Sequence, residues 1–310
     1  MRLAVSLLVC LGISSGSFSQ GCSDAGFCTM GAMKPDQPFN KKVEFKLRSM
    51  ELSFYRGTTT TSPEVYVATA DLNFSLSPRT FFQFKVPYLA AKGNFGSTSG
   101  LSDLSLCFTR TLHSTDKVDV NISVGGKVPT NKSNLESEGR PFPMYYQTSL
   151  GTYDFITGLS IKTREWLFAT GIQIPVVHQN ENQFLWTTWP NYPDQEYVKT
   201  YDEALRLKRG TDVMLRIERN FRFSQFNASI GALPIYRITR DELEDPVTGR
   251  RFKPDGTTGM ALSVIATLGY SFDVRSGARL LFGRKITDRE VNPDGLTRNE
   301  VLTISYYYRF

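Results

Sequence analysis

The feature that most constrains this chain is an alternation of side-chain character with a period of two, sustained from about residue 43 to the end. Met260, Leu262, Val264, Ala266, Leu268, Tyr270 and Phe272 are apolar, and the residues between them, Ala261, Ser263, Ile265, Thr267, Gly269 and Ser271, are mostly small. Leu302, Ile304, Tyr306, Tyr308 and Phe310 share one parity against Thr303, Ser305, Tyr307 and Arg309. Val118 to Val124 and Phe226 to Ala232 read the same way. Successive side chains of a strand point to opposite faces, so each segment carries one apolar face and one small or polar face.

Twelve such segments can be placed, at 43–55, 64–77, 79–89, 101–112, 117–129, 146–162, 165–178, 207–219, 221–236, 258–273, 275–286 and 299–310. They exceed ordinary globular strands and suit a tilted crossing of about 25 Å of hydrocarbon. In the first, Val43, Phe45 and Leu47 give way to Met50, Leu52 and Phe54, a phase slip that predicts a bulge near Arg48 or Ser49. The connections alternate in length. Those at Pro78, His113–Asp116, Thr163-Arg164, Asn220 and Val274 are short; those at 56–63, 90–100, 130–145, 179–206, 237–257 and 287–298 are long. The fold class expected is therefore all-β: a closed antiparallel up-and-down transmembrane β-barrel of about 12 strands, because an unpaired amide in hydrocarbon costs several kcal/mol and only a sheet without edges avoids it.

The chain begins with Arg2, an apolar run from Leu3 to Ile13, and small residues ending at Ser19, the pattern of an export signal over 1–19. Residues 20–42 then form a periplasmic segment, and 43–310 the barrel. Cys22 and Cys28, six residues apart, read as a disulfide in an oxidising compartment; lipidation of Cys22 is the rival, but Ser19 stands where an aliphatic residue is usual. Cys107 falls in a strand and reads as a small buried side chain. An even strand count puts both termini on the periplasmic side. The closing Tyr306, Tyr308 and Phe310 resemble the C-terminal signature of bacterial outer-membrane barrels. That implies the outer membrane of a Gram-negative bacterium, with its lipid and its barrel-assembly machinery as partners.

Apolar residues at 40% and charged residues at 21% exclude a disordered polymer and a helical membrane protein. The net charge of +6 is scattered, so no nucleic-acid patch is indicated. Two histidines and four cysteines leave little for metal, cofactor or nucleophile chemistry. A barrel phospholipase needs a histidine beside a serine; His113 falls in a predicted turn, and His178 at a rim has no neighbouring serine. Asp255-Gly256 and Asp294-Gly295 read as turns. No enzyme, cofactor or metal site is expected.

The polar parity places Asp71, Lys85, Asp103, Asp119, Lys127, Asp154, Asp212, Arg216, Glu218, Arg279, Lys285 and Arg309 in the lumen, six acids and six bases. These line a solute path or neutralise one another in a filled interior; twelve strands lie between filled and open barrels. The segment 179–206 carries Phe184, Trp186, Trp189, Tyr192, Tyr197 and Tyr201, a cap over the mouth or a platform for a ligand. Residues 20–41 are long enough to enter the lumen from below.

Val86-Pro87-Tyr88, Gly100-Leu101-Ser102-Asp103-Leu104-Ser105-Leu106 and Gly126-Lys127-Val128-Pro129-Thr130 resemble motifs of the outer-membrane proteins named for the meta-cleavage pathway of phenol degradation. Ser102 and Asn131 stand where that family has glycines. The match covers 86–131 and implies a barrel that admits hydrophobic or aromatic compounds. The opening of the mature chain is similar to that of exported Bacteroidetes barrels. Independently, Asp103 and Lys127 lie ten and eleven residues from the intervening turn, on inward parity, which predicts a cross-strand ion pair. The function expected is passage of a small solute, with a structural or surface-interaction barrel of blocked lumen as the alternative.

Overall fold

Lys46–Thr58 pairs with Glu300–Arg309, the first strand with the last, from Ser49↔Arg309 to Thr58↔Glu300. This pairing closes the sheet, so no strand in it is left with a free edge. The computed structural model describes Met30, Met33, residues 46–59 and residues 61–310. Twelve staves make the cylinder: β1 (Lys46–Thr58), β2 (Glu64–Ser77), β3 (Thr80–Gly93), β4 (Gly96–Leu101 continued as Leu104–Ser114), β5 (Val118–Val128) and β6 (Thr152–Thr163). They are followed by β7 (Trp166–His178), β8 (Asp212–Phe223), β9 (Phe226–Arg237), β10 (Gly259–Ser271), β11 (Ser276–Thr287) and β12 (Glu300–Arg309). All adjacent pairs are antiparallel.

The parity read from sequence sorts inside from outside. Phe54, Phe108, Ile122, Ile230, Leu268 and Ile304 stand exposed on the outer face, whereas Ser105, Ser123, Ser263 and Ser305 on the opposite parity are buried. An apolar belt of this extent is not stable against water on a monomer. The slip in β1 is a register shift between Leu47 and Ser49, as expected. β4 contains a second irregularity. Tyr88 pairs Leu101 and Lys85 pairs Ser105, so two residues of β3 oppose three of β4. The extra residue falls opposite Pro87, which has no amide to donate, while the Ser102 amide still reaches the Pro87 carbonyl at 2.8 Å.

Three expectations are corrected. The third connection, expected as a loop over 90–100, is a tight turn at Asn94-Phe95, because β3 and β4 keep pairing to Gly93↔Gly96; Gly96 has φ 139°, which suits a residue without Cβ. The eighth turn lies at Ser224-Gln225 rather than Asn220. Asn220 is held in the ladder against Ser229, and the pairing continues to Phe223↔Phe226. The apolar parity of Phe221 and Phe223 outweighs the local turn preference of asparagine. The sixth strand begins at Thr152 rather than 146, and Met144–Tyr146 is instead a buried 3-10 turn in the mouth. His113 lies in β4, paired with Val120, rather than in a turn.

Candidate functional site: the barrel interior and its mouth

The long connections gather at one end and fold inward. Segment 179–211 forms a short 3-10 turn (Trp186–Thr188) and α1 (Gln195–Lys199). Phe184, Trp189, Val198 and Tyr201 are buried with Phe95, Phe142, Tyr145 and Tyr146. Inward residues of the upper wall, Tyr55, Val65, Val67, Ala91 and Val301, belong to the same cluster. Phe95, at the tip of the β3–β4 hairpin, lies 4.5 Å from Trp189, 4.8 Å from Tyr192 and 5.2 Å from Tyr201 between ring centroids. Each such aromatic pair adds about 0.5–1.5 kcal/mol beyond area burial. Trp189 Nε1 donates to the Pro141 carbonyl at 2.8 Å, and Trp186 Nε1 to that of Tyr201 at 2.7 Å, although the Trp186 ring remains partly exposed. Of the six loop aromatics named from the sequence, Phe184, Trp189 and Tyr201 are thus buried in a lid, Tyr192 and Tyr197 pack against it, and Trp186 lies at its surface.

Beneath the lid is a charged cluster built from three loops and three strand ends. Arg237 is bidentate to Asp212 at 2.7 Å, and it also reaches Asp241 at 2.7 Å and Asp294 at 2.8 Å. Arg289 contacts Asp294 at 3.2 Å and Asp241 at 3.4 Å. Arg209 contacts Asp154 and Asp212, both at 3.4 Å. Burial alone would raise the pKa of the Asp294 carboxyl, but Arg289, Arg237 and Arg209 outweigh it and hold the group well below the usual carboxylate range. At Asp241 burial wins over the attraction of Arg237, and its carboxyl is raised.

The other lumen candidates form smaller sets. Lys85 is 3.8 Å from Asp71, and Lys127 3.9 Å from Asp103, all four buried. The second is the cross-strand pair expected from register; Asp103 also accepts from the Leu150 amide at 3.3 Å. Arg216 pairs with Glu218, Arg279 with Glu51 at 3.6 Å, and Lys285 with Asp288 at 3.2 Å. Asp154 also accepts from Gln173. Asp119 accepts from Ser114 at 2.7 Å, and Arg309 stacks 4.9 Å above Tyr307. Asp119 and Arg309 border a space of about 500 Å³ at the turn end, with Lys162, Arg222 and Asn227. His178 borders a depression of about 1020 Å³ on the loop-end rim, beside Glu181 and Arg206. Tyr306 and Phe310 are exposed outward, and the Tyr308 and Phe310 rings meet at 5.1 Å.

An apolar cluster lies within this polar interior. Met30 and Met33 are completely buried against Cys107, Ile156, Ala169, Met214, Leu233 and Ile265. A Cβ on Gly125 would lie 2.9 Å from Met30 Cε, and one on Gly158 3.0 Å from Met33 Sδ, so these wall positions have room only for hydrogen. Two residues of the segment expected in the periplasm therefore sit inside the cylinder. Cys107 is free and buried. The Cys22–Cys28 pair and the export signal lie outside the described residues.

Sequence reasoning missed Arg209, Arg237, Asp241, Arg289, Asp294 and Arg298. Extending the 221–236 segment by one residue catches Arg237, which shares the inward parity of Leu233 and Ile235. Asp294 was read as a turn residue, and nothing local marks it as the acid that three arginines share.

No family model matches the chain, so the resemblance to the phenol-pathway family rests on its motifs alone, and no curated protein matches. Solved structures do match. An outer membrane channel from Pseudomonas putida F1 superimposes with TM-score 0.62 at 12% identity, over 89% of this chain and 99% of that one. The CymD monoaromatic hydrocarbon channel gives TM-score 0.41 at 10% identity, covering 92% and 93%. The outer membrane phospholipase A of Escherichia coli gives 0.39 at 9%, covering 86% and 98%. At 12% identity the likeness to the Pseudomonas putida channel is one of fold.

Proposed function

We propose that this chain is an outer-membrane channel for a small solute. The observation that carries the reading is the sorting of one cylinder into an apolar outer belt and a charged, largely buried interior. Lipid is the solvent that such an exterior requires, and a polar interior is what a solute path needs. The likeness in fold to the Pseudomonas putida channel agrees with this. The phenol-pathway motifs and the aromatic lid favour a hydrophobic or aromatic solute. The signal-like N-terminus and the Tyr306, Tyr308, Phe310 ending favour export and delivery by the barrel-assembly machinery. We read the chain as a non-enzyme, because His178, the histidine at the loop-end rim, has no serine beside it in the sequence.

A second reading, a structural barrel with a blocked lumen, is favoured by the Met30–Met33 filling and the packed lid. Planar-bilayer recording on the refolded mature protein separates the two. Stepwise conductance supports the channel, and a silent bilayer at the same protein insertion supports the blocked barrel.

A further inference from the structure

Between the wall of β2 to β5 and the segments 144–150 and 295–298 lies a cavity of about 50 Å³. A space of this size holds more than one water and is the size of a carboxylate group. Its walls are mixed. Val67, Leu89, Leu150 and Leu296 supply apolar surface, while Lys85, Lys127, Arg298 and Asp103 supply three positive charges and one negative. Asp71 lies behind Lys85 at 3.8 Å.

Arg298 is the unusual member. It is 4% exposed, and no carboxylate lies within 4.0 Å of it among the described residues. Its Nη1 donates to the Gly295 and Thr297 carbonyls at 2.7 and 2.8 Å, and its Nε has no partner. The three neighbouring cluster arginines each have carboxylates; Arg298 has only neutral acceptors. A buried guanidinium without a counter-charge is costly, and it matches a planar carboxylate in shape and donor geometry. The same cavity borders Thr148 and Ser149. Their hydroxyls accept from Asn131 at 2.8 Å and the Gly151 amide at 3.1 Å, and so keep their own hydrogens to donate.

We propose that this cavity is a subsite for the carboxylate of a small organic acid, with Arg298 as its counter-ion and Thr148 and Ser149 as neutral donors. As the solute class of the channel this rests on the transport reading; as a binding site it does not. The test uses acetate as probe and saturation-transfer NMR of the refolded mature protein in detergent. Wild type is expected to show transfer to the acetate methyl group. Arg298→Gln is expected to weaken it about tenfold, the scale of one charge-assisted hydrogen bond, and Arg298→Lys is expected to retain part of it. Arg250→Gln, on an exposed outer loop, is expected to behave as wild type. Heat-modifiable gel mobility checks that each variant is folded, and Arg298→Lys carries the comparison if the glutamine variant is not. Absence of transfer in wild type, or equal transfer in a folded Arg298→Gln, overturns the proposal. Binding without conductance would overturn the channel reading and leave the subsite standing.

Discussion

Asp212 and Arg237 face one another in register across the β8–β9 hairpin and meet through two parallel hydrogen bonds of 2.7 Å. The same guanidinium reaches Asp241 and Asp294, so one side chain ties the wall to two inward-folded loops. Removing it leaves three buried carboxylates short of a counter-charge. Arg237→Met is expected to lower the unfolding free energy by about 3–5 kcal/mol, measured by urea titration of the protein refolded in lipid vesicles. A loss below about 1 kcal/mol would show that the cluster is dispensable.

The cluster should also set the acid response. Asp294 is held below the ordinary range in the folded protein, so its charge stabilises the fold above its unfolded pKa near 4, and that contribution drains as the pH falls from there. Asp294→Asn is expected to be less stable than wild type at pH 7, with the gap narrowing below about pH 4. Asp241, raised by burial, has the opposite sign: it takes up its proton above pH 4 and gains stability as the pH falls to that value. Urea midpoints across pH 7 to 3 check both, and a gap for Asp294→Asn that widens on acidification would contradict the assignment.

Phe95 joins the hairpin tip to the lid through contacts with Trp189, Tyr192, Tyr197 and Tyr201. Phe95→Ala is expected to cost about 3–5 kcal/mol of packing and to raise single-channel conductance as the lid loosens. Unchanged conductance in a destabilised variant would mean that the lid is not what limits passage.

Met30 and Met33 fill the middle of the cylinder. Replacing both by alanine is expected to raise conductance while leaving the wall assembled, since no ladder hydrogen bond depends on them. Conductance equal to that of wild type would place the narrowest point elsewhere.

Ile304 stands on the outer face near the middle of β12, beside Phe54 and Leu280 in the neighbouring strands. Ile304→Arg is expected to cost about 2–4 kcal/mol in vesicles, the depth-dependent penalty of a cation in the hydrocarbon midplane. Folding of that variant without loss in lipid would argue against a membrane-facing belt.

Much of the wall was legible because a strand reports its two faces every second residue. The parity of β10 and β12, the bulge after Leu47 and the Asp103–Lys127 pair all follow from counting along single strands and across one hairpin. The strand ends were less legible. Asn220 carries a turn preference of its own, yet the register of β8 against β9 overrides it, and the tight Asn94-Phe95 turn exists only because β3 and β4 continue to pair above the rim.

The sequence by itself determined a closed barrel, which residues face out, and the balanced charge within, since alternation is local and a sheet in lipid has no alternative to closure. Only the tertiary structure decided how the interior is filled. The partners of Arg237 come from one strand and two loops, no carboxylate among the described residues folds near Arg298, and Met30 meets Gly125 across nearly a hundred residues of chain. Such contacts depend on where loops of different length come to rest in space, and no period along the chain encodes that.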